Sequence, residues 1–229
     1  MRPPTPDTSS VRIAPGFVAA FAALALLVHE LHELAHTSTG RVLCGGWGPR
    51  DFNTWALPGG CTSVVPTLAG PLFSIAVMWV GAAWLASPRP RWRPLALALV
   101  LAANPFARLI TAGMGGGDEG VVVRAWTGLP RGPVAALVAL VPVALLVAVP
   151  VWRAWRALDP RGRVLAFTVL AALPMVLTGL VLFRFGNPLL EAGVLAEPVI
   201  AGTPALVWVV TLAALAIVLA LRRQFQGSR

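Results

Sequence analysis

Six apolar stretches, each close to the ~20 residues that a helix needs to cross a bilayer, divide this chain from end to end. They run from Ile13 to His36, Pro66 to Ala86, Pro94 to Thr111, Gly132 to Val151, Val164 to Phe183 and Pro204 to Leu221. In hydrocarbon every backbone N–H and C=O must find its partner within the protein, so stretches of this kind fold as helices. With 57% hydrophobic and 12% charged residues over 229 positions, the chain is too apolar for a soluble domain. The expected fold class is an all-α polytopic membrane protein of about six transmembrane helices, with a membrane-associated β-hairpin or an irregular loop after the first. The expected layout is a disordered tail over 1–12, a core of three spans over 13–131, and three further helices over 132–229.

Charge gives orientation. All 18 basic residues are arginine, and the net charge of +9 is dispersed between the apolar segments, without a basic patch interleaved with aromatics. That pattern fits membrane topology and excludes a nucleic-acid partner. Counted by side for six spans, twelve arginines fall with the termini and six on the opposite side, which puts both termini in the cytoplasm. The expected location is the plasma membrane of a prokaryotic cell. Cys44 and Cys61 both fall in the first loop on the opposite side, where an oxidising compartment permits a disulfide; two unpaired cysteines packed as small apolar residues are the other reading. Trp92, Trp152 and Trp155 stand beside arginines at expected membrane boundaries, as interfacial anchors do. The first span reads as a retained helix and not as a cleaved leader, because its apolar run continues into a polar motif with no small-residue cleavage site between them.

That motif, HELHELAH, holds all three histidines of the chain, His29, His32 and His36. One register satisfies H-E-x-x-H: His32, Glu33, Leu34, Ala35, His36. Residues at i and i+4 lie one turn apart on one helix face, so two imidazoles can share a metal ion while Glu33 projects beside it as a base. His29 and Glu30 stand nearby as supporting residues without a role of their own. The run from Ile13 to Val28 rises about 24 Å as a helix, which sets the motif near the far side of a hydrocarbon core about 30 Å thick. Ionisable groups at that depth face a bundle interior or a watered cavity; a polar helix end wetting the interface is the plainer alternative.

A zinc site needs a third protein ligand and an open position for water. Asp118 and Glu119 are the only acidic residues between Asp51 and Asp159, and they lie in GMGGGDEG, a glycine-rich break after Asn104-Pro105. Asp118 is the preferred third ligand, Glu119 the second choice, and Glu191 after Asn187-Pro188 a weaker source. A solvated turn explains the same residues without a metal.

These features together resemble the site-2 protease family of intramembrane zinc metalloproteases: HELAH on an apolar helix, a loop with GGWGPRDF, the AGPLFS stretch from Ala69 to Ser74, and Asn-Pro ahead of an aspartate. The resemblance covers roughly residues 17–120. It implies that His32 and His36 bind zinc, that Glu33 activates the water, that Asp118 completes the site, and that membrane-embedded or membrane-anchored proteins are the substrates. It also implies a β-hairpin in the stretch from Arg41 to Val65, where an ordinary loop closed by its GG, GP and PGG turns is the alternative. Where the family has its aspartate a short step after Asn-Pro, followed by glycine, this chain has a longer stretch and reads Asp118-Glu119-Gly120. The family more often sets its zinc nearer the cytoplasm, whereas the arginine tally puts the motif end of the first span on the other side. Gly70-Pro71 reads as the start of span two, with glycine allowing a close helix approach. The expected partners are the lipid bilayer and a membrane protein or peptide substrate. The competing class is a non-proteolytic membrane protein that keeps the metal site for structure or binding; a metal transporter fits less well, since polar residues concentrate in two places.

Overall fold

The computed structural model describes residues 10–87 and 90–227. Its backbone is helical, with one two-stranded ribbon. Five segments are long and apolar enough to cross a membrane: α1 (Pro15–Cys44), α2 (Val65–Ala86), α3 with α4 (Arg93–Ala102 and Pro105–Gly113), α6 (Pro133–Ala157), and α7 (Arg163–Val176) with its π-helical continuation Leu177–Gly186 and the short α8 (Asn187–Glu191). α5 (Gly117–Thr127) follows α4, and α9 (Ala205–Ala220) closes the chain after the ribbon of β1 (Pro198–Ile200) and β2 (Thr203–Pro204). The sixth expected span is thus present as a helix, but its 16 residues fall short of the others.

Two boundaries bear on the site. α1 does not stop at His36 but continues to Cys44, where Gly45 turns the chain with φ 78°. The motif therefore sits in the second half of a 30-residue helix and not at its end. The third span is broken at Asn104, which adopts a left-handed φ of 55°. Proline at 105 disfavours the α conformation for the residue before it, and asparagine tolerates the left-handed alternative. α4 therefore leaves at a new angle, and the positive φ of Gly115 and Gly117 then turns the chain into α5.

α1 packs against α2, α3, α7 and α9, which makes it the central helix. Phe17, Phe21, Met78, Leu97 and Leu101 are fully buried between these helices. The outer faces of α6, α7 and α9 are apolar and exposed, with Leu145 at 70%, Leu165 at 72% and Leu212 at 58%. An apolar surface of this extent is at home in lipid. Arg91, Arg156 and Arg163 stack over Trp92, Trp152 and Trp155 at 5.3, 5.9 and 5.6 Å, so the three tryptophans named as anchors each carry a cation on the ring.

Of the tail expected over 1–12, residues 1–9 lie outside the described residues. Val11 is buried and exchanges backbone hydrogen bonds with Ala157 and Asp159, and Arg12 Nε donates to Asp159 Oδ2 at 2.9 Å. The Asp159 carboxyl is held below its ordinary pKa by the Arg161 backbone N–H and the Arg12 side chain.

The connection from α1 to α2 is an irregular loop with a single bridge, Arg50 to Trp55, and not a regular hairpin. The Cys44–Cys61 disulfide closes it, with Cα atoms 5.7 Å apart. Inside it Arg50 makes a bidentate ion pair with Glu30 of α1, Nη1 to Oε1 at 2.9 Å and Nη2 to Oε2 at 2.8 Å, both side chains buried. The parallel pair of charge-assisted bonds fixes orientation as well as distance. Removing one partner strands the other charge in the bundle. Arg50→Met is therefore expected to cost about 3–5 kcal/mol in reversible unfolding in mixed micelles, while Glu30→Leu combined with Arg50→Met recovers most of it. Equal stability of the single and double variants would show that the pair is not coupled.

Candidate metal centre

His32 and His36 are 4% and 1% exposed, and they lie on the face of α1 turned toward α2. Their room is made by a missing side chain. A Cβ on Gly70 of α2 would stand 2.2 Å from His36 Nε2 and 2.7 Å from His32 Cε1. The close approach expected at Gly70 is thus made, but by two imidazoles against the helix backbone, at the sixth residue of α2. Pro71 follows within the helix.

α2 also orients both rings. His36 Nδ1 donates to the Pro66 carbonyl at 2.7 Å, and His32 Nδ1 shares a hydrogen bond of 2.9 Å with Ser74 Oγ. A carbonyl oxygen only accepts, so the proton of the neutral His36 ring is on Nδ1 and Nε2 presents its lone pair. The Ser74 hydroxyl can accept from His32 Nδ1 in the same way. Carbonyl and hydroxyl acceptors behind an imidazole are the usual support of a metal ligand. Trp55 covers the remaining side, its ring 4.9 Å from that of His36 at an interplanar angle of 22°.

Asp118 enters from the first turn of α5. Its Oδ2 lies 3.3 Å from His32 Nε2 and 3.5 Å from His36 Nε2, and the two Nε2 atoms are 3.1 Å apart. Two ligand atoms each about 2.0–2.1 Å from a tetrahedral ion lie roughly 3.3–3.4 Å from one another. The three spacings match the edges of such a coordination polyhedron. His32, His36 and Asp118 thus form a group able to hold a metal ion, the one such group among the described residues. The donor set of two imidazoles and one carboxylate suits zinc and also other divalent transition metals. Of the alternatives for the third ligand, neither Glu119 nor Glu191 belongs to the group.

Arg108 of α4, one turn past the break at Asn104, donates through Nη1 to Asp118 Oδ2 at 2.9 Å and to Glu119 Oε1 at 3.3 Å. Glu119 is thereby a partner of the arginine. Burial opposes ionisation of Asp118, but the neighbouring imidazoles and the Arg108 charge hold its carboxyl below the usual carboxylate range. The ionised carboxylate is the form in which such a side chain binds a metal.

Glu33 is 5% exposed, with His29 Nε2 4.0 Å from its Oε1. No arginine holds it among the described residues, in contrast to Glu30, Asp118 and Glu119. A cavity of about 30 Å³ adjoins His32, lined by His29, Ser74, Asn104, Arg108 and Thr178. It is polar and has room for a water molecule.

Sequence reasoning assigned no role to Arg108, Ser74 or the Pro66 carbonyl. Arg108 had a signal, as the lone cation within the third span; Ser74 had only its place in AGPLFS. Comparison of the chain with protein-family models, with curated proteins and with solved structures finds no match.

The supports behind the rings should be measurable in metal affinity. Ser74→Ala is expected to weaken zinc binding about 10–100-fold in a chelator competition titration. Gly70→Ala should weaken it at least as much, because the added methyl takes the place of the His36 ring. Wild-type affinity in both variants would remove α2 from the centre.

Proposed function

We propose that this chain is a zinc-dependent intramembrane endopeptidase resembling the site-2 proteases, which hydrolyses peptide bonds of membrane-embedded or membrane-anchored proteins. The observation that carries the reading is the convergence of His32 Nε2, His36 Nε2 and Asp118 Oδ2 at ligand spacing, with Glu33 beside them on the same helix. Three protein ligands would leave a fourth position for water or substrate, as in hydrolytic zinc sites. His32, His36 and Asp118 would hold the zinc, which when bound would lower the pKa of a water and polarise the scissile carbonyl.

The chain's own residues supply the rest. Glu33 accepts a proton from the water as its oxygen bonds to the carbonyl carbon, and delivers that proton to the amine nitrogen as the C–N bond breaks. The products are a carboxyl and an amine, and Glu33 returns to its starting state. Ser74 and the Pro66 carbonyl hold the imidazoles in place, and Arg108 holds the Asp118 carboxylate. A site kept only for metal binding or structure has no need of a buried carboxylate that no arginine neutralises, so Glu33 favours the enzyme over that reading.

Orientation belongs to the same proposal. The arginine tally sets both termini in the cytoplasm and the loop around Asp51 outside it, in the plasma membrane of a prokaryotic cell. The Cys44–Cys61 disulfide in that loop supports this, because such bonds persist in oxidising compartments. A reporter active only outside the cytoplasm, fused within the loop near Asp51, is expected to be active; a cytoplasmic signal there would reverse the topology.

Chemistry is tested by metal content and cleavage of single-span substrates in reconstituted vesicles. Glu33→Gln should keep its zinc and lose roughly 10²–10⁴-fold in cleavage rate. His32→Ala should lose both. Cleavage by Glu33→Gln at the wild-type rate would reject the mechanism.

A further inference from the structure

The first half of the histidine run, His29 and Glu30, does not enter the metal group, yet both residues are buried or half-buried and bonded to the same short loop. Glu30 holds Arg50 at 2.8 and 2.9 Å, and His29 Nε2 donates to the Phe52 carbonyl at 2.9 Å. The other side of this loop is held by the C-terminal half of the chain. Asn187, at the end of the π-helical segment, accepts from the Phe52 N–H at 3.2 Å and donates through Nδ2 to Asn53 Oδ1 at 2.6 Å. The Phe52 ring is 3% exposed and packs with Leu182 and Val207. Gly186 gives it room, since a Cβ there would lie 2.7 Å from the ring.

Between these two anchors the loop is a stiff turn. Asp51 and Thr54 close it through the backbone at 3.0 Å, and Ala56 donates to the Pro49 carbonyl at 3.0 Å. The Asp51 carboxylate accepts from the backbone N–H groups of Asn53 and Thr54 and from the Thr54 hydroxyl. Trp55 is the next residue, bridged to Arg50 and stacked on His36. A displacement of Phe52 is therefore passed to the indole that covers a metal ligand.

We propose that Asn187 is a positioning residue of the metal centre: from the C-terminal helices it fixes the 49–56 turn, and through Trp55 it braces His36 and slows loss of the metal. The helical segment ending at Glu191 and α9 then have a task that their apolar composition does not advertise. The inference rests on the metal reading of the site and not on proteolysis.

The experiment uses the full chain in detergent micelles, loaded with zinc, and follows zinc loss to excess EDTA. Asn187→Ala and Trp55→Ala are each expected to release zinc about tenfold faster than wild type while binding it in the same stoichiometry. Combined, they should release it no faster than Trp55→Ala alone, because both act through the same contact. Trp55→Phe, which keeps an aromatic face on His36, should restore slow release. Gly186→Ala pushes on the Phe52 ring with Asn187 intact and should accelerate release as well, which keeps the test open if Asn187→Ala does not fold. Wild-type release from both Asn187→Ala and Gly186→Ala, or effects of Asn187→Ala and Trp55→Ala that multiply, would overturn the proposal. A wild-type chain that binds no zinc would overturn the metal reading and this inference together.

Discussion

Helix α1 carries five ionisable side chains within eight residues into an apolar bundle, and the need to satisfy them organises what surrounds it. Glu30 draws Arg50 inward, and with it the loop between α1 and α2. His29 takes a backbone carbonyl of that loop. His32 and His36 turn their Nδ1 atoms to α2 and their Nε2 atoms to Asp118. Among the described residues, Glu33 has no arginine partner, unlike Glu30.

The neighbouring elements are shaped to this helix. α2 has glycine where the imidazoles press against it, and the third span breaks at Asn104 so that Arg108 and then Asp118 can return toward α1. A straight third span would carry α4 away along the bundle. The glycine turn ahead of α5 has the same consequence: it brings a carboxylate at a helix start into contact with two rings on another helix. Each adjustment exchanges regular helix for the meeting of polar groups that hydrocarbon would otherwise leave unpaired.

Much of the site was legible in the residues alone. His32 and His36 share a face because four residues make about one turn, a local fact of helix geometry. Asp118 was legible by scarcity, since charged residues are rare in apolar chains. Ser74, the Pro66 carbonyl, Arg50 and Asn187 were not legible, because an uncharged donor or a loop arginine carries no periodic signal. Their roles exist only once particular helices are neighbours. The loop after α1 was legible as a turn-rich connection, but its hold on Phe52 and Asn53 from residue 187 lies over a hundred residues away in sequence.

By itself the sequence determined that the chain is a set of apolar helices, that all three histidines lie in HELHELAH, and which of them pair on one face. These are properties of hydropathy and of the helical repeat, and they need no knowledge of neighbours. Only the tertiary structure decided that Asp118 and not Glu119 or Glu191 joins the histidines, that Glu30 is a clasp, and that the C-terminal helices hold the loop over His36. The spacing of α1 from α5 and from α8 is set by how side chains of different sizes pack between helices, and packing is a property of the assembled bundle.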